Sequence, residues 1–426
     1  MTNLKSNKSG IFNNNVFYGL MFASGVLFCI AYYIACKGNG GIIPEFYDFK
    51  EHWKASAYIL NGIDPFTAVR SVAVPEIGQM MENFISVPWS YLMSTIMAPG
   101  FLPYNIAQIY GMVFFIALVV FDIICLNKIF ETVFGNHSPL WIGIFILAMP
   151  RLAAVWIQGN NAILVSSFLI YMFYFVIEDK DYIAGVFLAF AMVKPQVALL
   201  FCIPLLFRKK FKTVFSATAI VLVFWAITLV ILQQNPIESI SLTLERGMNQ
   251  DGDTRYAGIM NFLTLYGLPR GTVMKMSVAV GIIIELIAIV FLMRKRKTES
   301  EKFNIYIMFS VTSIVSALWM YSSPGDYVVQ ASMILLLISY YKHLSDDSSV
   351  SAGKRIGVFV LILFAYKYAD HILGFALKMI FKDNFFVADV YSNNFMDLCF
   401  LFIVFFLCKY AVKIKEICTT NNTERI

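Results

Sequence analysis

Charge is scarce in this sequence. Asp, Glu, Lys and Arg make up 14% of its 426 residues, while 59% are hydrophobic and 40 are Phe. With a mean hydropathy of +0.70, a chain of this length lacks the charge to coat a soluble surface. It therefore reads as an all-α polytopic membrane protein, a single membrane-embedded domain over residues 1–426. The seven cysteines include no CxxC pair and no metal-like spacing. They read as apolar fillers and indicate neither zinc nor oxidation. No dinucleotide fingerprint, P-loop or zinc-helix signature is present, and no internal repeat of the kind that marks many transporters. The net charge of +6 is modest and forms no nucleic-acid patch. It reads as the basic bias of cytoplasmic loops.

What the sequence does hold is a series of apolar runs. Val16 to Cys36 is about 21 residues, enough to span about 30 Å, and longer than the apolar part of a signal peptide. It reads as a retained first helix with its N-terminus inside. Further runs are Ile85–Pro99, Tyr104–Leu126, Leu140–Val155, Ala162–Ile177, Tyr182–Phe207 and Phe211–Leu232. After them come Thr272–Met293, Phe303–Tyr321, Tyr327–Tyr341, Ile356–Leu377 and Asn394–Lys409. Basic residues at Arg208–Lys212, Arg294–Lys297, Lys354-Arg355 and Lys413–Lys415 fall on one side of this alternation. They place both termini in the cytoplasm and two large loops, approximately 37–84 and 233–271, outside. The count is about twelve spans, and it must be even. Tyr182–Phe207 is broken by Lys194-Pro195-Gln196, so it is either one kinked span or a hairpin with the lysine at its tip. In the second case another segment, Ile85–Pro99 first, fails to cross. The sidedness of Gln158-Gly159-Asn160-Asn161 depends on the answer.

The first loop carries YDFKEHWKASAYILNGIDPF, residues 47–66. Phe49, Trp53, Ala57 and Leu60 fall at helical spacing, which predicts an amphipathic helix on the membrane surface with its polar side chains facing water. Asp48 admits two readings. With Glu51 three residues on it forms a capping-box pattern, and Asn61-Gly62 makes a stop. Alternatively, Asp48 and His52, one turn apart, present a carboxylate and an imidazole to a cavity. Asp64-Pro65 reads as another helix start.

Several polar residues sit where they are costly. Lys194 lies inside an apolar stretch, where a charge near the bilayer centre costs roughly 2.5–3.5 kcal/mol. Such a lysine faces a cavity, an anion or a partner. Gln196, Gln158 and Asn160 suit either sugar hydroxyls or contacts between helices. In the second loop, Arg246, Arg255 and Arg270 are candidate phosphate clamps, since a guanidinium grips phosphate with two parallel hydrogen bonds. Each is otherwise a solvated loop charge. Asn261 follows them. No metal cluster is visible, which leaves a loop metal at Glu245, Asp251 or Asp253 open. Trp53, Tyr58, Trp89 and Tyr91 suit stacking on sugar faces or an isoprenoid, or interfacial anchoring.

The order of these pieces carries a resemblance. An aspartate opens a segment ending in Gly62-Ile63-Asp64-Pro65-Phe66, and Pro88 precedes a run to Ala98-Pro99-Gly100-Phe101-Leu102-Pro103. Next come Gln158-Gly159-Asn160-Asn161, then Ala184-Gly185-Val186-Phe187-Leu188-Ala189 leading to Lys194-Pro195, then Asn261-Phe262-Leu263 and Ser323-Pro324. This succession, over roughly residues 45–330, resembles glycosyltransferase family 87 of the GT-C superfamily, whose characterised members are polyprenyl-phosphate-mannose-dependent α-mannosyltransferases. The resemblance implies a GT-C-type bundle. It implies a polyprenyl-phosphate sugar donor, a lipid or glycan acceptor, and transfer of a hexose, mannose first, on the outer face of the cell membrane. It makes Asp48 the general base and matches Lys194 to the family's lysine before proline. The Ser-Pro motif is usually followed by an aromatic residue and His-Tyr, whereas here it continues Gly325-Asp326-Tyr327, so Asp326 stands about where that histidine would be. A donor-phosphate role for Lys194, Arg246 and Arg255 follows, with His52, Gln158, Asn160, Gln196, Asn261 and Asp326 toward sugar or acceptor. A transporter or flippase of lipid-linked sugars, and an envelope polysaccharide polymerase, share the hydrophobic bulk and the outer loops.

Overall fold

The computed structural model describes residues 47–66, 74–80, 86–135, 157–249, 267–294, 300–319, 329–346, 349–365 and 385–419, with isolated positions between them. Among the described residues there are helices and turns and no strand. The helices are α1 (Tyr47–Leu60), α2 (Pro88–Met93), α3 (Tyr104–Phe134), α4 (Ala162–Ile177), α5 (Asp181–Ala191), α6 (Pro195–Ala198) and α7 (Cys202–Phe207). They continue with α8 (Phe211–Leu232), α9 (Pro236–Asn249), α10 (Arg270–Arg294), α11 (Glu301–Leu318), α12 (Ala331–Asp346), α13 (Ala352–Ala365) and α14 (Phe385–Thr419). Four of them, α3, α8, α10 and α14, are long and apolar enough to cross a membrane. With the shorter apolar helices around them, they make this a membrane protein.

Two helices form the centre. In α11 every residue from Phe303 to Leu318 is buried, and α4 is buried from Ala162 to Phe173. The two pack through Phe173 and Phe309, whose rings stack at 4.6 Å. The serines and threonines of α11 survive this burial by bonding to their own helix, as when Ser310 Oγ donates to the Tyr306 carbonyl at 2.9 Å. At the rim, α8 turns Phe215 and Val230 outward, each more than three-quarters exposed. In a bundle surrounded by lipid that face needs no protein cover.

The broken run at 182–207 is a hairpin. Helix α5 is antiparallel to α4, with Phe175 stacked on Phe187 at 5.4 Å and Phe168 against Phe190 at 5.8 Å. It runs parallel to the start of α8, where Gly185 faces Ser216 and Phe190 meets Phe224 at 5.8 Å. A Cβ on Gly185 would stand 2.6 Å from Ser216 Cβ, so only glycine permits this approach. Lys210, just beyond α7, then bonds Asp179 at 2.6 Å and Asp181 at 3.2 Å at the start of α5. Both feet of the segment therefore lie at one end of the bundle, and Lys194, between α5 and α6, is the tip at the other. Pro195 at the first position of α6 fits this break, because proline disfavours helical conformation in the residue before it.

The segment Ile85–Pro99 contains α2, six residues or about 9 Å long, followed by a 3-10 turn over Ser94–Ile96. That is well short of the roughly 30 Å of a bilayer core. The hairpin and the short α2 agree with the second of the two topologies raised by the sequence. The remainder of the twelve-span count rests on the runs at 16–36 and 140–155, which lie almost wholly outside the described residues.

Candidate functional site

The periodic stretch from Tyr47 to Leu60 is helical, as its spacing predicts, but it is not a surface helix. Phe49 and Tyr58 are fully buried, and its polar residues Glu51, His52, Lys54 and Ser56 are buried too. The reason is that residues 74–80 and 86–103 fold over the face that would otherwise meet water. Lys54 Nζ bonds Glu51 and donates to the Gln79 carbonyl at 2.6 Å. Ser56 Oγ pairs with Thr95 Oγ1 at 2.9 Å and accepts from the Gly100 N–H at 3.0 Å. Trp53 Nε1 donates to the Leu102 carbonyl at 2.9 Å, and Tyr58 Oη to that of Gly78 at 2.9 Å. Gly100 is required here, since a Cβ would fall 2.1 Å from the Ala57 nitrogen.

This seat fixes Asp48 in the first turn of α1, inside the helix rather than at its cap. The capping-box reading gives way, and Glu51 pairs with Lys54 instead. Across the bundle, Gly159 takes a φ of +66°, a left-handed turn that suits glycine, between the helical residues 157–158 and α4. The turn projects Asn160. Its Nδ2 donates to Asp48 Oδ2 at 2.7 Å, and its Oδ1 accepts from Lys194 Nζ at 3.2 Å and from the Ala162 N–H at 2.8 Å. Three segments far apart in sequence thus meet in one row, carboxylate to amide to ammonium. The row stands at the end of the bundle opposite Lys210.

The electrostatics follow from burial. Desolvation pushes the Asp48 carboxyl above its usual range, and Glu51 adds to this; the Asn160 hydrogen bond and the Lys194 charge pull the other way. His52 is pushed down to about 3, by burial first and then by the Lys194 cation. It is a neutral imidazole at any physiological pH and a poor proton acceptor. Between the two, Asp48 is the stronger base.

Gln158 and Gln196, two residues along the chain from Asn160 and Lys194, are each partly buried, and the Gln196 carbonyl accepts from Trp319 Nε1. The aromatic candidates serve as anchors. Besides Trp53 and Tyr58, Trp89 Nε1 donates to the Met192 carbonyl at 2.9 Å and ties α2 beside Lys194, and Tyr91 is buried. Asp64 accepts from Phe66 N–H and from Gln234 Nε2 at 2.8 Å, holding the first loop to the end of α8. The side chain of Arg246, and Arg255, Asn261 and Asp326 entirely, lie outside the described residues. Among the described residues no cluster of three His, Cys, Asp or Glu could hold a metal; Asp251 and Asp253 lie outside them. Sequence reasoning missed the Glu51–Lys54 pair, which their three-residue spacing would have suggested.

Residues 87–323 match the sequence model of glycosyltransferase family 87, just over half of the chain. No curated protein and no solved structure matches.

Proposed function

The chain belongs to glycosyltransferase family 87, and on that premise we propose that Asp48 is the general base of an inverting hexosyl transfer from a polyprenyl-phosphate donor. Membership makes the protein a glycosyltransferase and sets aside a transporter or flippase. The remaining steps rest chiefly on one observation, the row Asp48–Asn160–Lys194.

An acceptor hydroxyl, from a lipid or a glycan, attacks the anomeric carbon of the lipid-linked sugar. As the new C–O bond forms, the hydroxyl proton passes to the Asp48 carboxylate. The bond from C1 to the phosphate oxygen breaks, and the lipid phosphate leaves with the electron pair. A single displacement of this kind inverts the anomeric configuration. A carboxylate held above its usual range is the better base. The Lys194 ammonium stabilises the departing phosphate, and a fixed cation does this best where water is scarce. Arg246 and Arg255 add to that clamp from the second loop. His52 as a neutral hydrogen-bonding ring, Gln158, Gln196, Asn261 and Asp326 contact sugar or acceptor. The hexose is mannose first. The site faces the extracytoplasmic side, because the basic run Arg208–Lys212 lies at the opposite end of the hairpin.

The test uses protein in lipid vesicles, a labelled polyprenyl-phosphate hexose, a membrane-lipid extract as acceptor, and Asp48→Asn beside wild type. Transfer by wild type that falls by about 10²–10⁴ in the variant, the usual contribution of a general base, supports the mechanism. Equal transfer by both removes Asp48 from the chemistry. No transfer from any polyprenyl-phosphate donor refutes the donor class.

A further inference from the structure

We infer that Asn160 is a positioning residue, which holds the Asp48 carboxylate and the Lys194 ammonium apart in a fixed register, and that its Oδ1 does not bind sugar. Its amide orientation is dictated by its neighbours. Nδ2 faces a carboxylate oxygen at 2.7 Å, while Oδ1 faces the Lys194 ammonium at 3.2 Å and the Ala162 N–H at 2.8 Å. Flipping the amide would set its NH2 against two donors and its oxygen against an anion. In the observed orientation both lone pairs of Oδ1 are committed, so the oxygen has no capacity left for a sugar hydroxyl.

The backbone is built to hold this residue still. Gly159 turns at φ +66°, and the Asn160 N–H donates to the Val155 carbonyl at 3.0 Å. The Ala162 bond then closes a side-chain turn at the entry to α4. Without a spacer of this shape, an aspartate and a lysine in a partly desolvated site attract one another strongly and close into a direct ion pair. That pair would bind the proton acceptor and the phosphate-binding cation to each other. An amide interposed between them contacts both while neutralising neither. Among the described residues, the charges that act on Asp48 include Lys194 at the hairpin tip and Glu51 on its own helix. Glu51 is itself held by Lys54. His52, one turn on, is neutral and feels the Lys194 charge.

This inference uses the proposed transfer reaction only for its kinetic test. Asn160→Leu keeps the branching at Cγ and removes all three side-chain hydrogen bonds, and Asn160→Asp sets a second carboxyl against the first. In each, the acid limb of the kcat/KM profile is expected to move to higher pH by about one unit or more, because the ionised form of Asp48 loses a donor or gains a like charge. KM for the donor should change by less than threefold. A limb that stays in place while KM rises tenfold would make Asn160 a sugar ligand and overturn the inference. Infrared difference titration of the Asp48 carboxyl, assigned by subtracting Asp48→Asn, reads the same shift without turnover. If wild type transfers nothing, the donor reading fails while the infrared shift still decides this one. Thermal melts exclude variants that do not fold, and either variant suffices.

Discussion

Replacing Lys194 by methionine separates its chemical role from any structural one. The substitution keeps the unbranched stem of the side chain, one atom shorter, and deletes one charge. A cation about 4 Å from a departing phosphate contributes about 4 kcal/mol at an effective dielectric of about 20. Loss of a single fixed donor to a developing anion typically lowers kcat by about 10²–10³. One effect runs the other way: without the cation, Asp48 rises further above its usual range and becomes a somewhat stronger base. The offset is less than tenfold, so the net expectation is a fall in kcat of about 10²-fold. Stability should not fall with it. Lys194 is partly buried at the hairpin tip, and holding an ammonium away from water costs free energy that its removal recovers. Lys194→Met is therefore expected to melt at or above the wild-type temperature. The assay is single-turnover transfer from a labelled polyprenyl-phosphate hexose, with melting followed in the same detergent. A variant within threefold of wild-type kcat would refute the phosphate-stabilising role. One that loses activity only because it melts earlier would make Lys194 a structural residue.

Two other perturbations test the seat of α1. His52 stays neutral down to about 3 in the fold but takes up a proton near its ordinary value of 6.5 when unfolded. Its contribution to stability is therefore intact above 6.5 and lost as pH falls toward 3, by roughly 2.5 kcal/mol at pH 4.5. In His52→Gln the drop in melting temperature between pH 7.5 and 4.5 should be smaller than in wild type, and an identical drop would show that the ring is not held neutral. Gly100→Ala forces a methyl onto the Ala57 backbone, where 2.1 Å is available. Overpacking of this kind costs about 1–3 kcal/mol, and displacing α1 should lower kcat as well. Wild-type melting and turnover would contradict the close packing.

How far the sequence reveals this site depends on how local each feature is. The helical state of α1 is readable because Phe49, Trp53 and Ala57 repeat at helical spacing, and the break at Lys194-Pro195 because proline and charge interrupt an apolar run. The burial of α1 is not readable, since its cover comes from residues 74–80 and 86–103, whose polar atoms happen to match Lys54 and Ser56. The hairpin is visible only through Lys210 and its two aspartates, which a sequence shows as separate loop charges. Asn160 carries the same limit. Its type suits a sugar ligand equally well, and only the positions of Asp48 and Lys194 reveal that both of its ends are engaged.

The clasp of Lys210 on Asp179 and Asp181 turns α5 into a strut of set length. Eleven residues at 1.5 Å each carry the chain about 16 Å from that foot toward the lysine at the tip. One residue added anywhere between Asp181 and Ala191 would lift the ammonium by about 1.5 Å and swing it by about 100°. Along this stretch the outward-facing Tyr182, Ile183 and Val186 can exchange for other apolar residues, whereas a single insertion or deletion would carry Lys194 out of reach of Asn160. The length of the helix, more than the identity of its exposed residues, is what sets Lys194 against Asn160.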